Sequence, residues 1–224
     1  AEFPAEVDVC LPQLVRYEEE AGILYYRRPS AAEGLVTSIT LKEFPYVTGD
    51  GTKTLRQLVL DDPRACLMKS TYFKRHAAEL NGVIPAGKRY TLVFAGNHKQ
   101  GAVFRDGMEV LTPALAARIE EIARGLPEFY FGRFDIRFKD LESFRRGEDF
   151  QIIEINGAGA EATHIWDPEA RLSDAYKTLF EQFRVLFAIG AENRERGHRP
   201  MGLVAFIREF FLYHLSARRY PMAH

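Results

Sequence analysis

Two stretches of this chain carry residue types that could do ionic chemistry. They are residues 132–137, Gly-Arg-Phe-Asp-Ile-Arg, and residues 151–157, Gln-Ile-Ile-Glu-Ile-Asn-Gly. As strands, with a side-chain period of two, the first sends Arg133, Asp135 and Arg137 to one face and Phe134, Ile136 and Phe138 to the other. In the second, Glu154 and Asn156 share a face, and Ile153 and Ile155 take the opposite one. Two such strands, each burying one side, would line a polar surface with a guanidinium, two carboxylates and an amide.

That donor set suits a hard divalent cation carrying phosphate. Magnesium takes oxygen ligands in a near-octahedral shell and dehydrates reluctantly, so its sites offer one or two carboxylates and leave the rest to water and phosphate. Asp135, Glu154 and the Asn156 amide oxygen are such donors. Arg133, two residues before the first carboxylate, would offer its planar fork to a phosphoryl or carboxylate oxygen where charge builds up. The alternative is a charged outer face of an antiparallel hairpin, on which Arg and Asp pair in water for little stability.

An R-x-D strand followed by E-I-N and a glycine-rich loop resembles the C-terminal half of the ATP-grasp ligases. The D-alanine–D-alanine ligases and the ATP-grasp part of cyanophycin synthetase share that order. Residues 156–168, with Glu161, Ala162, Thr163, His164, Ile165, Asp167 and Pro168, are similar more narrowly to carboxylate–amine ligase-like members carrying an E-A-T-H-I-x-D-P string. The resemblance implies an α+β, ATP-grasp-like fold with a mostly antiparallel sheet and packed helices. It also implies ATP and magnesium as cofactors, or manganese in its place, with Asp135, Glu154 and Asn156 as metal ligands and Arg133 at the reacting centre. The reaction would join a small-molecule carboxylate to an amine, or to a thiol, through an acylphosphate. A non-catalytic nucleotide- or metal-binding regulatory module and a phosphotransferase on the same fold are the alternatives.

The same resemblance extends upstream. Residues 47–55 follow the V-x-G-D-G-x-x-T pattern of the cyanophycin synthetase type, which makes Gly49, Asp50 and Gly51 substrate candidates; from the residues alone they read as a turn. Gln13 and one of Glu18, Glu19 or Glu20 are the local counterparts of an adenine and ribose contact, with a solvated acidic loop as the other reading of the glutamates. Lys42 and Arg27 are candidates for phosphate or acyl contact. Asn97 sits where related domains carry an N-x-x-x-G turn near the reacting phosphate, and His98 lies beside it as a substrate candidate; a plain hairpin connection is the other reading. Thr163 and His164 are substrate candidates in the loop expected to close over the acceptor, His164 either as a base or simply packed and hydrogen-bonded. One part of the pattern is missing. No glycine-rich run with phosphate-holding lysines precedes Val7, so the expected partner is an upstream ATP-grasp subdomain, and the chain by itself should bind MgATP weakly.

Several elements must position these groups. Strands are expected over residues 7–15, 23–27 and 35–44, over 89–95 and over 102–104. Thr54 and Gln57 form a capping box before a helix through Leu58 and Leu60; residues 63–80 read as a second helix. Thr112-Pro113 opens an amphipathic helix closed by Gly125, expected to pack under the site strands. The segment with Glu142, Arg145, Arg146, Gly147 and Glu148 reads as an exposed turn. Ser173 or Asp174 caps a helix whose apolar side is Leu179, Phe180, Phe183, Leu186 and Phe187.

The ends and the composition set the bounds. An ATP-grasp part over residues 1–190 is followed, over 191–224, by a polar, arginine-rich linker and an apolar helix from Gly202. With Arg208 and Glu209 in its middle that helix is expected to dock on the domain or on a partner segment, with interfacial membrane association as the second reading. A net charge of -1 over 224 residues gives no global field for nucleic acid. Two cysteines, Cys10 and Cys66, without metal-ligand spacing fit a reducing, cytoplasmic setting.

Overall fold

Alternation governs the strand that carries Arg133. In the computed structural model, which describes residues 13–94, 96 and 100–217, it runs Phe131–Phe138, with Phe134, Ile136 and Phe138 fully buried on one side. Before it in the chain come β1 (Glu19–Tyr26), β2 (Leu35–Glu43), β3 (Tyr46–Thr48), α1 (Leu55–Asp61), α2 (Lys69–Arg75), β4 (Arg89–Thr91), β5 (Val103–Asp106) and α3 (Pro113–Gly125). The Arg133 strand is β6, and α4 (Leu141–Arg145), β7 (Phe150–Asn156), α5 (Leu172–Glu195) and α6 (Leu203–Ala217) follow. The architecture is α+β, and the main sheet, ordered β5-β2-β1-β6-β7, is antiparallel throughout.

One face of that sheet is dry. Ala21, Ile23 and Tyr25 of β1, Ile39 of β2 and Phe134, Ile136 and Phe138 of β6 pack there against Leu115, Ile119 and Ala123 of α3. Helix α3 begins as the sequence predicts: Thr112 accepts the Leu115 N–H at 3.1 Å and proline occupies the first turn. It therefore lies under the strands that carry the site, as expected. Residues 46–93 form a second core of their own, with Val47, Leu55, Val59, Tyr72 and Leu92 buried around α1, α2 and the short β3–β4 sheet. The Thr54–Gln57 capping box opens α1.

Five expectations need correction. The single helix over 63–80 is instead a 3-10 turn (Ala65–Met68), then α2, then turns, because His76 turns inward and meets the Leu92 carbonyl at 2.9 Å. The strand over 89–95 shortens to three residues. The exposed turn after β6 is a helix, α4, capped by Asp140, whose Phe144 stacks fully buried on Phe138 at 4.3 Å. In α5 the packed residues are Gln182, Val185, Leu186 and Ile189, whereas Phe180, Phe183 and Phe187 are exposed. Ser173 and Asp174 lie inside the first turn of α5 rather than before it.

The chain divides into two compact units, Val15–Glu192 and a second that holds Asn193–His224 with the N-terminal residues. Among the described residues no helix is long and apolar enough to cross a membrane. Cys10, Asn97 and His98, and the part of the 7–15 strand before Gln13, fall outside the described residues; residues 13–18 carry no regular structure.

Candidate active site

The other face of the sheet is polar, and register arithmetic shows what it gathers. Glu20 stands opposite Lys42 on one side and Arg137 on the other; Gly22 stands between Thr40 and Asp135; Leu24 stands between Ser38 and Arg133. Across the next interface Asp135 faces Glu154, and Arg133 faces Asn156. Arg133, Asp135, Glu154 and Asn156 therefore meet on one surface of two adjacent strands, as their spacing predicts. Directly opposed residues place their Cβ atoms about 5 Å apart.

Asp135 is the hub. It is 4% exposed, and Arg133 grips it with Nε on Oδ1 at 2.9 Å and Nη2 on Oδ2 at 3.2 Å. Lys42 Nζ lies 3.3 Å from Oδ1, and the Asn156 amide donates to Oδ2 at 3.2 Å. Glycine at position 22 makes room: a Cβ there would stand 3.1 Å from Arg133 Cδ and 3.2 Å from Asp135 Oδ1.

Lys42 is itself buried and bridges two carboxylates, with Glu20 Oε1 at 2.8 Å as its nearer partner. Glu20 is 4% exposed and also meets Arg137 Nε at 3.5 Å and the Gly96 N–H at 3.3 Å. Of the three glutamates at 18–20, this one is part of the buried network, so the solvated acidic loop does not describe it. Three consecutive glutamates gave no sign of which would turn inward; the signal lay in the Glu20–Lys42–Arg137 row, which only strand pairing reveals. Gly96 presses its backbone on this pair, since a side chain there would collide with Lys42 and Glu20.

Glu154 differs from Asp135. It sits on the edge strand, exposed, with no ion pair or hydrogen bond among the described residues. A β-bulge between Asp135 and Ile136 brings it there: Asp135 pairs with Glu154, but Ile136 pairs with Ile152, so Ile153 is the inserted residue. The strict alternation expected in β7 is corrected accordingly, and Ile152 packs against the core in place of Ile153.

The segment after β7 is fastened at four places. Arg133 Nη1 donates to the Glu161 carbonyl at 3.1 Å; buried Gln182 of α5 donates to Ala160 O and accepts from Ala162 N, both at 3.0 Å. Asp167 accepts the Asp106 N–H at 2.8 Å and pairs with Arg105 at 3.3 Å. Burial pushes the Asp167 carboxyl up, but the Glu169 and Asp106 N–H groups and the Arg105 charge outweigh it and hold it below its ordinary 3.8. Within this segment His164 Nδ1 meets Ser38 Oγ at 2.7 Å, which ties it to the row that ends at Arg133. Thr163 is buried, and its hydroxyl, like that of Thr40, has no hydrogen-bond partner among the described residues. Beside His164 lies a cavity of 370 Å³ lined also by Asp106, Asp167, Glu169 and Asp174.

The remaining candidates do not join the cluster by any described contact. Gly49, Asp50 and Gly51 form the turn after β3: Asp50 Oδ1 accepts from Thr52 N and Lys53 N at 2.8 and 2.7 Å, and Gly49 packs on the Ile84 and Pro85 carbonyls. Those backbone N–H groups hold the Asp50 carboxyl below 3.8. Gln13 is exposed and belongs to the other unit. Arg27 lies over the Tyr130 ring at 5.3 Å.

Oxygen donors for a hard cation are present, yet among the described residues no group of three or more His, Cys, Asp or Glu side chains could hold a metal ion. No family model matches the chain. No curated protein matches it. A solved structure that does match is the crystal structure of a bifunctional glutathione synthetase from Pasteurella multocida, at 14% identity and a TM-score of 0.43, over 75% of this chain. The chain spans 24% of the length of that protein.

Proposed function

We propose that this chain is the acidic half of an ATP-grasp-type carboxylate–amine ligase and that the polar face of the β2-β1-β6-β7 sheet carries the phosphates of ATP. The observation behind this reading is Asp135 opposite Glu154, with Arg133 and Asn156 beside them and Lys42 reaching in from β2. Two carboxylates at this spacing repel unless positive charge lies between or beside them. At Asp135 that charge is Arg133 and Lys42; Glu154 is left facing outward to take up a cation that arrives with the nucleotide.

The residues fit magnesium by donor type, with Glu154 and Asp135 as the carboxylates and the Asn156 amide oxygen as the third donor. Magnesium, when bound, would neutralise phosphate charge and help align the transferred group. Both Asp135 oxygens are engaged, so loading requires the Arg133 fork to release at least one of them. Release is also what Arg133 needs for its own role. A guanidinium freed from Asp135 can grip the oxygens of a phosphoryl group in two parallel hydrogen bonds, while its Nη1 contact to Glu161 O keeps it aimed.

The reaction is then amide formation in two steps. A substrate carboxylate attacks the γ-phosphate, giving an acylphosphate and ADP; an amine displaces phosphate from it. His164, anchored by Ser38 through Nδ1, has Nε2 as the nitrogen that could take the amine proton, in the tautomer that protonates Nδ1. An upstream lysine-bearing subdomain is the proposed partner for the nucleotide. The non-catalytic regulatory reading draws on one feature, the saturation of Asp135 by its neighbours. ADP release over a panel of amino acids, peptides and polyols, from the chain alone and joined to that subdomain, separates the possibilities. Amine-dependent ADP release with an acylphosphate trapped by hydroxylamine supports the ligase. Turnover of polyols alone makes it a phosphotransferase, and nucleotide binding without turnover makes it a regulatory module.

A further inference from the structure

The last helix is apolar and exposed along its whole length. No residue of α6 is buried: Val204 is 84% exposed, and Phe206, Phe210, Phe211 and Tyr213 stand between 49% and 69%. At 100° per residue Arg208, Glu209 and Ser216 fall within one arc of about 100°, which Ala205 and Leu212 share, and Leu203, Phe206, Ile207, Phe210 and Tyr213 fall within an arc of about 120° on the other side. Arg208 and Glu209 pair at 2.7 Å, which leaves the polar sector without net charge. Fifteen residues make a rod of about 22 Å, short of the roughly 30 Å hydrocarbon layer.

The sequence on either side decides what such a helix would meet. Arg194, Arg196 and Arg199, with His198, precede it against one acid, Glu195; Arg218 and Arg219 follow it. Five arginines thus bracket an apolar helix in a chain whose net charge is -1. A second copy laid along α6 in either direction would bring like charges together at both ends. An anionic surface would meet opposite charge at both ends and apolar side chains between.

We propose that α6 and its arginine flanks form a docking element for an anionic membrane surface, with the helix lying in the headgroup layer and its Arg208–Glu209 sector turned to water. The proposal is independent of the ligase reading. Its test is cosedimentation of the whole chain with phosphatidylserine–phosphatidylcholine vesicles and with pure phosphatidylcholine vesicles. Partition to the anionic vesicles about tenfold or more above the neutral ones, lost at high salt, is expected. Phe206→Ser with Phe210→Ser should lower it about tenfold, as should Arg194→Gln, Arg199→Gln, Arg218→Gln and Arg219→Gln together, with an unchanged thermal midpoint because the described members of both sets are exposed. No binding to anionic vesicles overturns the proposal, as does equal binding to both vesicle types that ignores the arginine changes. Dimerisation in sedimentation velocity that the phenylalanine variant abolishes, without vesicle binding, also overturns it and gives the face to a second copy.

Discussion

Asp135 and Glu154 face each other across one strand interface, yet replacing them should have opposite consequences for stability and the same consequence for activity. Asp135→Asn leaves Lys42 with Glu20 alone and the Arg133 fork with a neutral partner, inside a network whose Lys42, Glu20 and Asp135 side chains are 4–5% exposed. Removing one member of a buried ion pair costs about 3–5 kcal/mol, and Lys42 keeps its shorter contact, so about 3 kcal/mol is expected. For a unit of this size that lowers the thermal midpoint by roughly 6–12 °C. Glu154→Gln removes an exposed charge with no described partner from opposite a like charge. Its effect should lie within about 0.5 kcal/mol, on the stabilising side. In the form joined to the upstream lysine-bearing subdomain, both changes should reduce amine-dependent ADP release by about a hundredfold or more, the usual loss when charge stabilisation of a transition state is removed. Scanning calorimetry and a coupled ADP assay read the two effects. Full activity in Glu154→Gln would return Glu154 to the role of a solvated edge residue, and an unshifted midpoint in Asp135→Asn would mean that the buried network does not hold the sheet.

Three further outcomes follow from the packing. Gly22→Val puts branches where a Cβ already stands 3.1 Å from Arg133 Cδ, so about 1–3 kcal/mol should be lost in urea unfolding together with activity. Phe144→Ala removes a fully buried ring stacked on Phe138, and should lower stability by about 3–5 kcal/mol while leaving the polar face intact. Asp167 has a folded pKa below its ordinary 3.8, so its stabilising effect is complete above that value and is lost as pH falls through the depressed one. The advantage of wild type over Asp167→Asn, followed by thermal melts from neutral to acid pH, should stay level and then shrink on the acid side of 3.8; a shrinkage that begins near neutrality would contradict the contacts given to Asp167.

Local order was legible where one element decides it alone. The alternation of β6 announces which side Arg133 and Asp135 share, and Thr112-Pro113 with Gly125 marks both ends of α3 to the residue. The bulge at Ile153 was not legible, because two isoleucines in a row fit either register and only the partner strand chooses. In α5 the largest apolar stripe misleads: Phe180, Phe183 and Phe187 face outward, while polar Gln182 is buried because its amide satisfies two backbone groups of the segment after β7. Glu20 was hidden for a related reason. Its partners Lys42 and Arg137 come from other strands, 22 and 117 positions away, and a buried charge is intelligible only together with the charges that compensate it.

The most direct measurement is calorimetric titration of MgATP into this chain, alone and joined to the lysine-bearing subdomain proposed to precede it, in wild type and in the variant carrying both Asp135→Asn and Glu154→Gln. Weak or no binding to the chain alone is expected, with tight binding to the joined form that disappears when both carboxylates are neutralised. Tight binding by the chain alone, or affinity in the joined form that ignores the two substitutions, would place the nucleotide somewhere other than the polar face of this sheet.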